Sequence, residues 1–191
     1  APPPRLKGCR PVSAPVIVKL GPDDWTTFRA IRLESLERAP HVFGTAHHQE
    51  ADRRGEWWRN RLASPDIGVY VAQLGDDTVG MAGWLLPAAA NSRHRAYVWG
   101  VYVRDGLRGS GVGRALMTAT LAEAETRAEA VDLNVLVENA PAVRLYRSLG
   151  FVVVGTVPRA LKHAGVYRDQ YLMARDPGVQ STPGTLQSPV V

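Results

Sequence analysis

Val98-Trp99-Gly100-Val101-Tyr102-Val103-Arg104-Asp105-Gly106-Leu107-Arg108-Gly109-Ser110-Gly111-Val112-Gly113-Arg114 decides the reading of this chain. A run of β-branched and aromatic residues passes into a glycine-rich turn, and the turn opens a long Ala/Leu/Glu-rich helical segment, residues 111–129. Glycine lets the backbone adopt positive φ and come close to a ligand. The first N–H groups of a helix lack intrahelical partners. With the partial positive charge of about half a unit at that end, they attract an anion such as pyrophosphate. Arg108 and Arg114 add charge to the same turn.

Three phosphate-binding or structural turns compete for this pattern. A P-loop requires Gly-Lys-Ser/Thr, which is missing. A dinucleotide turn requires G-x-G-x-x-G, whereas Gly109, Gly111 and Gly113 give G-x-G-x-G with Arg114 in the third glycine's place. The acidic residue expected about 20 positions on, after the next strand, is also missing, since Asp132 lies at that strand's start. A purely structural glycine turn stays open.

A second element follows, Asn139-Ala140-Pro141-Ala142-Val143-Arg144-Leu145-Tyr146-Arg147-Ser148-Leu149-Gly150-Phe151. Asn139 is a helix N-cap, Pro141 is tolerated in the first turn, and Gly150 ends the helix. Asn139, Ala142 and Tyr146 share one face, so that face presents an amide, a methyl gap and a phenol.

Outward from these two elements, strands and helices alternate. Strands are expected at Val16–Leu20, Ile67–Leu74, Thr78–Leu86, Arg95–Val103, Val131–Val137, Phe151–Val157 and Val166–Ala174. A first helix starts at the Pro22-Asp23-Asp24 turn and ends before Pro40. A second runs from about Gln49 to Leu62, and the loop Arg159–Val166 separates the last two strands. The order β-α-α-β-β-β-α-β-α-β-β gives a mixed α/β sheet of about seven strands with helices on both faces.

The spacing R-x-x-G-x-G (Arg108–Gly113) after a strand, then N-x-x-A-x-x-L-Y-x-x-x-G-F (Asn139–Phe151), closely resembles the GNAT superfamily of acetyl-CoA-dependent N-acyltransferases. Tyr167-Arg168-Asp169-Gln170-Tyr171-Leu172-Met173 is similar to that family's last strand. Arg32-Leu33-Glu34 and Pro40-His41-Val42-Phe43-Gly44-Thr45 resemble its acceptor-side region. The resemblance covers roughly residues 16–174. It implies a mostly antiparallel twisted sheet, splayed between strands 4 and 5.

By the same resemblance, Arg108, Gly109, Ser110, Gly111, Val112, Gly113 and Arg114 hold the CoA pyrophosphate. Val101 and Val103 pair with the pantetheine amides as an added strand does. Asn139 contacts the pantetheine arm, and Tyr146 faces the thioester sulfur as general acid. Many members carry a Glu near the start of the fourth strand, and here that position is Tyr97. Glu34, Glu50 and His94 are therefore the base candidates, acting through a water, and an amine already partly neutral needs none. The expected function is transfer of acetyl from acetyl-CoA to a small-molecule primary amine. A protein Lys or N-terminal acetyltransferase and a silent acyl-CoA sensor are the alternatives. The family also implies a homodimer.

Composition bounds the rest. With 191 residues, 45% hydrophobic and 21% charged, the chain builds one ordinary core. Of 14 prolines, five lie at or before Pro15 and three at or after Pro177, so residues 1–15 read as an extension, 16–174 as the domain and 175–191 as a tail. The net charge of +5 admits anionic partners, but scattered arginines and the lack of any helix-turn-helix or aromatic-basic motif give no nucleic-acid module. The lone Cys9 excludes an internal disulfide and a Cys-based zinc site, and no metal is expected. No apolar run is long enough for a membrane span, and Ala1–Arg5 lacks a signal peptide's apolar core, so no membrane partner and a cytoplasmic location are expected.

Overall fold

The structure is a computed structural model that describes residues 14–176. Of the expected extension (1–15) and tail (175–191), all but residues 14, 15, 175 and 176 lie outside the described residues. Seven strands form one sheet: β1 (Val16–Lys19), β2 (Ile67–Leu74), β3 (Asp77–Leu85), β4 (Arg95–Val103), β5 (Ala130–Leu136), β6 (Val152–His163) and β7 (Val166–Arg175). Their order is β1-β2-β3-β4-β5-β7-β6. Strands β4 and β5 pair in parallel, and every other neighbouring pair is antiparallel. The helices are α1 (Trp25–Arg38), α2 (His47–Ala51), α3 (Gly55–Ala63), α4 (Val112–Arg127) and α5 (Ala140–Ser148).

Alternation along the strands sends side chains to two faces, and each face has its own helical cover. On one face, Phe28 and Ile31 of α1 and Trp58 and Leu62 of α3 pack against Val69, Val71, Met81 and Tyr102. On the other, Met117 and Leu121 of α4 and Val143 and Tyr146 of α5 pack against Ala96, Val98, Val131, Leu133 and Met173. Gly68 exists because the Trp84 indole lies across it, where any side chain would overlap the ring. That indole is 1% exposed. Its N–H donates to Glu123 Oε2 at 3.1 Å, and the Tyr70 hydroxyl donates to the same oxygen at 2.7 Å.

Two expected elements differ. The single helix expected from Gln49 to Leu62 is two, α2 and α3, separated by Asp52-Arg53-Arg54. Arg54 is extended (φ −68°, ψ 156°), and α3 restarts at Gly55, where a Cβ would come within 3.0 Å of the Trp25 indole. The close approach of Trp25 sets the helix start. The expected loop Arg159–Val166 is instead the distal part of a long β6–β7 hairpin, turned at Ala164 and Gly165 with φ of 48° and 82°. The register shift between Val157 and Leu161 accommodates Pro158, whose missing N–H would interrupt a regular ladder. The expected tail begins inside β7, which runs to Arg175, and Asp176 pairs with Arg95 at 2.7 Å.

Candidate active site

Strands β4 and β5 pair at Arg95↔Ala130, Ala96↔Val131 and Tyr97↔Asp132 and then diverge, leaving a wedge. Its closed end is clamped by Arg95, which reaches Asp132 at 2.7 and 2.5 Å and Asp176 at 2.7 Å. Beyond Tyr97 the register against β3 shifts, and Gly100 takes φ +66°, a conformation that strains any other residue. Val101 and Val103 lie past the last residue paired with β5, with their side chains packed against the buried cluster that includes Val112 and Leu116. The rest of β4 therefore lacks a strand neighbour on its β5 side.

At the end of β4, Gly106, Gly109 and Gly111 have φ of 85°, 81° and 94°. A side chain at Gly109 or Gly111 would meet nothing within 4 Å, so open space lies before the turn. Hydrogen bonding in α4 begins with Ala115 N–H to Gly111 C=O at 3.0 Å. The N–H groups of Val112, Gly113 and Arg114 thus have no intrahelical acceptor. Ser110 turns inward, its N–H and its hydroxyl both donating to Leu107 C=O, at 3.3 and 2.6 Å. Arg108 pairs with exposed Asp105 at 2.9 Å, and Arg114 donates to Ser148 Oγ at 2.9 Å. Free backbone donors, a helix dipole and two arginines form a donor set suited to the pyrophosphate of CoA.

Helix α5 flanks the wedge. Asn139 Oδ1 accepts the Ala142 N–H at 3.2 Å, so its oxygen serves as the cap while its amide NH2 remains to donate. Tyr146 is 6% exposed and meets Phe151 edge-on at 6.1 Å. No described side chain hydrogen-bonds its hydroxyl. Burial, with a smaller contribution from Tyr97, pushes its phenol above the ordinary tyrosine value. Tyr97 is raised by burial too, and its phenol meets the backbone of Asn134 across the wedge.

Both carboxylate candidates are held by arginines. Glu34 accepts from Arg104 at 2.9 and 2.8 Å and from the Tyr102 hydroxyl at 3.1 Å. The Arg104 hydrogen bond holds its carboxyl below the ordinary 4.5, against burial, which makes it a weaker base than a free glutamate. Glu50 accepts from Arg32 at 2.9 and 3.0 Å. His94 lies just before β4 at the closed end of the wedge, where its carbonyl accepts the Glu129 and Ala130 N–H groups. Arg159 and Lys162 stack over the Tyr167 ring at 3.8 and 4.7 Å, on the exposed end of the hairpin.

The Glu34–Arg104 pair carries a pH signature. A lowered folded pKa contributes stability above the ordinary carboxylate range, and that stability is lost as pH falls through the folded value. Glu34→Gln is expected to lower the thermal midpoint at pH 7 by the equivalent of about 1 kcal/mol at most, as for other half-exposed pairs. The difference from wild type should shrink as pH falls below about 4.5 in a melting series, and a pH-independent difference would show that the ion pair is not its source.

A cluster that the sequence reading missed lies on the α1–α3 side of β4. The Arg32 guanidinium sits 5.3 Å from the Phe43 ring and 5.6 Å from Trp99, and Arg61 sits 5.0 Å from both Trp57 and Trp99. Its one local signal was Trp57 and Arg61 at i, i+4 on a helix. A concavity of about 900 Å³ lies elsewhere, at the C-terminal end of α4 among His94, Glu125, Glu129 and Arg175. Among the described residues no His, Cys, Asp and Glu cluster could hold a metal ion, and no helix is long and apolar enough to cross a membrane.

Comparison with known proteins agrees with this geometry. The family model described as Acetyltransferase (GNAT) family matches residues 28–151. The chain is 33% identical over 123 residues to the L-amino acid N-acetyltransferase AaaT of Escherichia coli K12, covering 62% of this chain and 74% of that one. It is 34% identical over 121 residues to the N-alpha-acetyltransferase RimI of Mycobacterium tuberculosis, covering 63% and 73%. The fold matches that of YncA, a putative acetyltransferase from Salmonella typhimurium solved with acetyl-CoA, at a TM-score of 0.71 and 20% identity, covering 90% and 99%. Wedge, anion turn and family match coincide on the same strands, and this chain belongs to the GNAT family, whose members are acetyl-CoA-dependent acyltransferases.

Proposed function

We propose that the chain transfers acetyl from acetyl-CoA to the primary amine of a small molecule, by direct attack within a ternary complex. The observation that carries the small acceptor is a contact between the two segments that flank the acceptor side. The Pro40–Ala46 segment reaches the β6–β7 hairpin, where the Gly44 side-chain position lies 3.8 Å from Leu161. A peptide lying across the site needs that passage open. The name of the E. coli relative, an L-amino acid N-acetyltransferase, supports the same reading.

Bound acetyl-CoA supplies an activated acetyl group. The backbone of Gly109, Gly111, Val112, Gly113 and Arg114, with the Arg108 and Arg114 side chains, grips its phosphates, and Ser110 shapes the turn. Val101 and Val103 offer their backbone groups to the pantetheine arm as the missing neighbour of β4, and Asn139 donates its NH2 from the other side. A backbone N–H beside Gly100 stabilises the charge that develops on the carbonyl oxygen. Tyr146 gives its proton to the departing sulfur. With Glu34 and Glu50 each held by an arginine and Tyr97 in place of an acid, the amine's proton leaves to water.

Thiol release from acetyl-CoA across amino acids, polyamines, aminoglycosides, dipeptides and Lys peptides tests this. Turnover is expected with one class of small amines. Turnover confined to peptides would instead assign a protein N-terminal or Lys acetyltransferase. Tight acetyl-CoA binding with no turnover on any amine would leave the sensor reading.

A further inference from the structure

Two guanidinium groups but only one paired carboxylate meet on the acceptor side of β4. Glu50 is committed to Arg32 through both oxygens. Arg61 lies half-buried on α3 between the Trp57 and Trp99 rings, and no described carboxylate is within ion-pair distance of it. The local balance of Arg32, Arg61 and Glu50 is one uncompensated positive charge among the Phe43, Trp57 and Trp99 rings. Burial pulls the Arg61 guanidinium below its ordinary value, with Arg32 pulling the same way and Glu50 opposing. A buried, unpaired cation is costly unless a partner arrives.

The second observation is on Arg32. Its Nη1 is buried and has no hydrogen-bond acceptor, although the side chain is only 6% exposed. That nitrogen lies 3.9 Å from the side-chain position of Gly100, so the orphan donor faces the β4 bulge. Arginine forks match carboxylate geometry through paired N–H donors.

We propose that Arg61, with Arg32 behind it, forms the subsite for the carboxylate of an α-amino acid acceptor, placing the amine on the adjacent carbon toward the bulge at Gly100. Because Arg32 Nη1 lies 3.9 Å from the Gly100 side-chain position, an acid on this arginine pair sits close to the bulge, which fits an amine on the α carbon better than one at the end of a long chain. The Phe43, Trp57 and Trp99 rings beside the two arginines favour an acceptor with an apolar or aromatic side chain. Arg159 and Lys162 are not part of this subsite, since both lie over exposed Tyr167. The inference rests on the acetyl-transfer reading for its purpose, but its binding test does not.

The experiment pairs L-leucine, L-methionine, L-phenylalanine, L-histidine, L-glutamate and L-lysine with their carboxamides, on wild type, Arg61→Gln and Arg61→Lys. Acetyl transfer is followed by thiol release, and binding to the CoA complex by calorimetry. Wild type is expected to favour acid over amide about tenfold or more, the worth of one charge-assisted hydrogen-bonded pair. Arg61→Gln should raise the acid's KM by a similar factor, with kcat, the acetyl-CoA KM and the amide's KM within about twofold. Arg61→Lys should restore part of the acid preference, which a purely packing role for the guanidinium would not. Equal use of acids and amides, or an acid KM unmoved in Arg61→Gln, overturns the subsite even if amines are acetylated. Acid-selective binding that is lost in Arg61→Gln, with no turnover at all, keeps the subsite and overturns acetyl transfer. Neither binding nor turnover of any acid overturns it as well.

Discussion

Tyr146→Phe is expected to lower kcat about a hundredfold, the lower end of what a positioned acid contributes, and to leave the KM for acetyl-CoA within about twofold. Removing one oxygen from a ring packed edge-on against Phe151 keeps shape and burial, so the loss reports the proton and not the fold. The raised pKa of Tyr146 sets the sign of its pH behaviour. The phenol stays protonated, and able to donate, throughout the range in which the amine becomes neutral. Wild-type kcat should therefore rise with pH as the amine deprotonates and show no alkaline fall assignable to this tyrosine up to about pH 9.5. Steady-state kinetics from pH 6 to 9.5 on both proteins checks this. A Tyr146→Phe enzyme with unchanged kcat would remove the general-acid role.

Trp84→Ala is expected to cost about 3–5 kcal/mol of folding stability, the range for deleting a fully buried large aromatic side chain. The indole fills the space over Gly68, where the backbone has given up its own side chain to admit it. Its loss leaves a cavity between β2 and α4 and takes one donor from Glu123, which still has Tyr70 and Lys19. Trp84→Phe should cost clearly less, because the ring volume largely remains. Urea unfolding at constant pH measures both. A cost of less than about 1 kcal/mol for the alanine variant would mean that the neighbouring chains collapse into the gap, contrary to the packing described.

What was legible in the sequence was local. Arg95–Val103 is rich in β-branched and aromatic residues and leads into glycines that need positive φ, so both bounds of β4 matched and the turn was in place. Asn139, Pro141 and Gly150 bracket α5 by short-range chemistry alone. The misread elements depend on partners far along the chain. Residues Gln49–Leu62 have a helical period, and it is Trp25, packed against Gly55, that breaks them in two. Pro158 looked like the end of a strand, but a bulge against β7 absorbs it. Glu34 as a free carboxylate was plausible until the fold brought in Arg104, 70 positions away. The Arg32–Glu50–Arg61 group was invisible for the same reason: three elements must meet before its charges can be counted.

The three-residue seam between β4 and β5 makes the central sheet two half-sheets hinged at one end by Arg95. A ladder that stops at Tyr97 leaves the amides of β4 beyond it without strand partners on that side, inside the sheet and not at its edge. Filling the wedge with the pantetheine arm would close the ladder. The substrate would then act as a removable structural part, and the resting enzyme would be looser along its middle than at its edges.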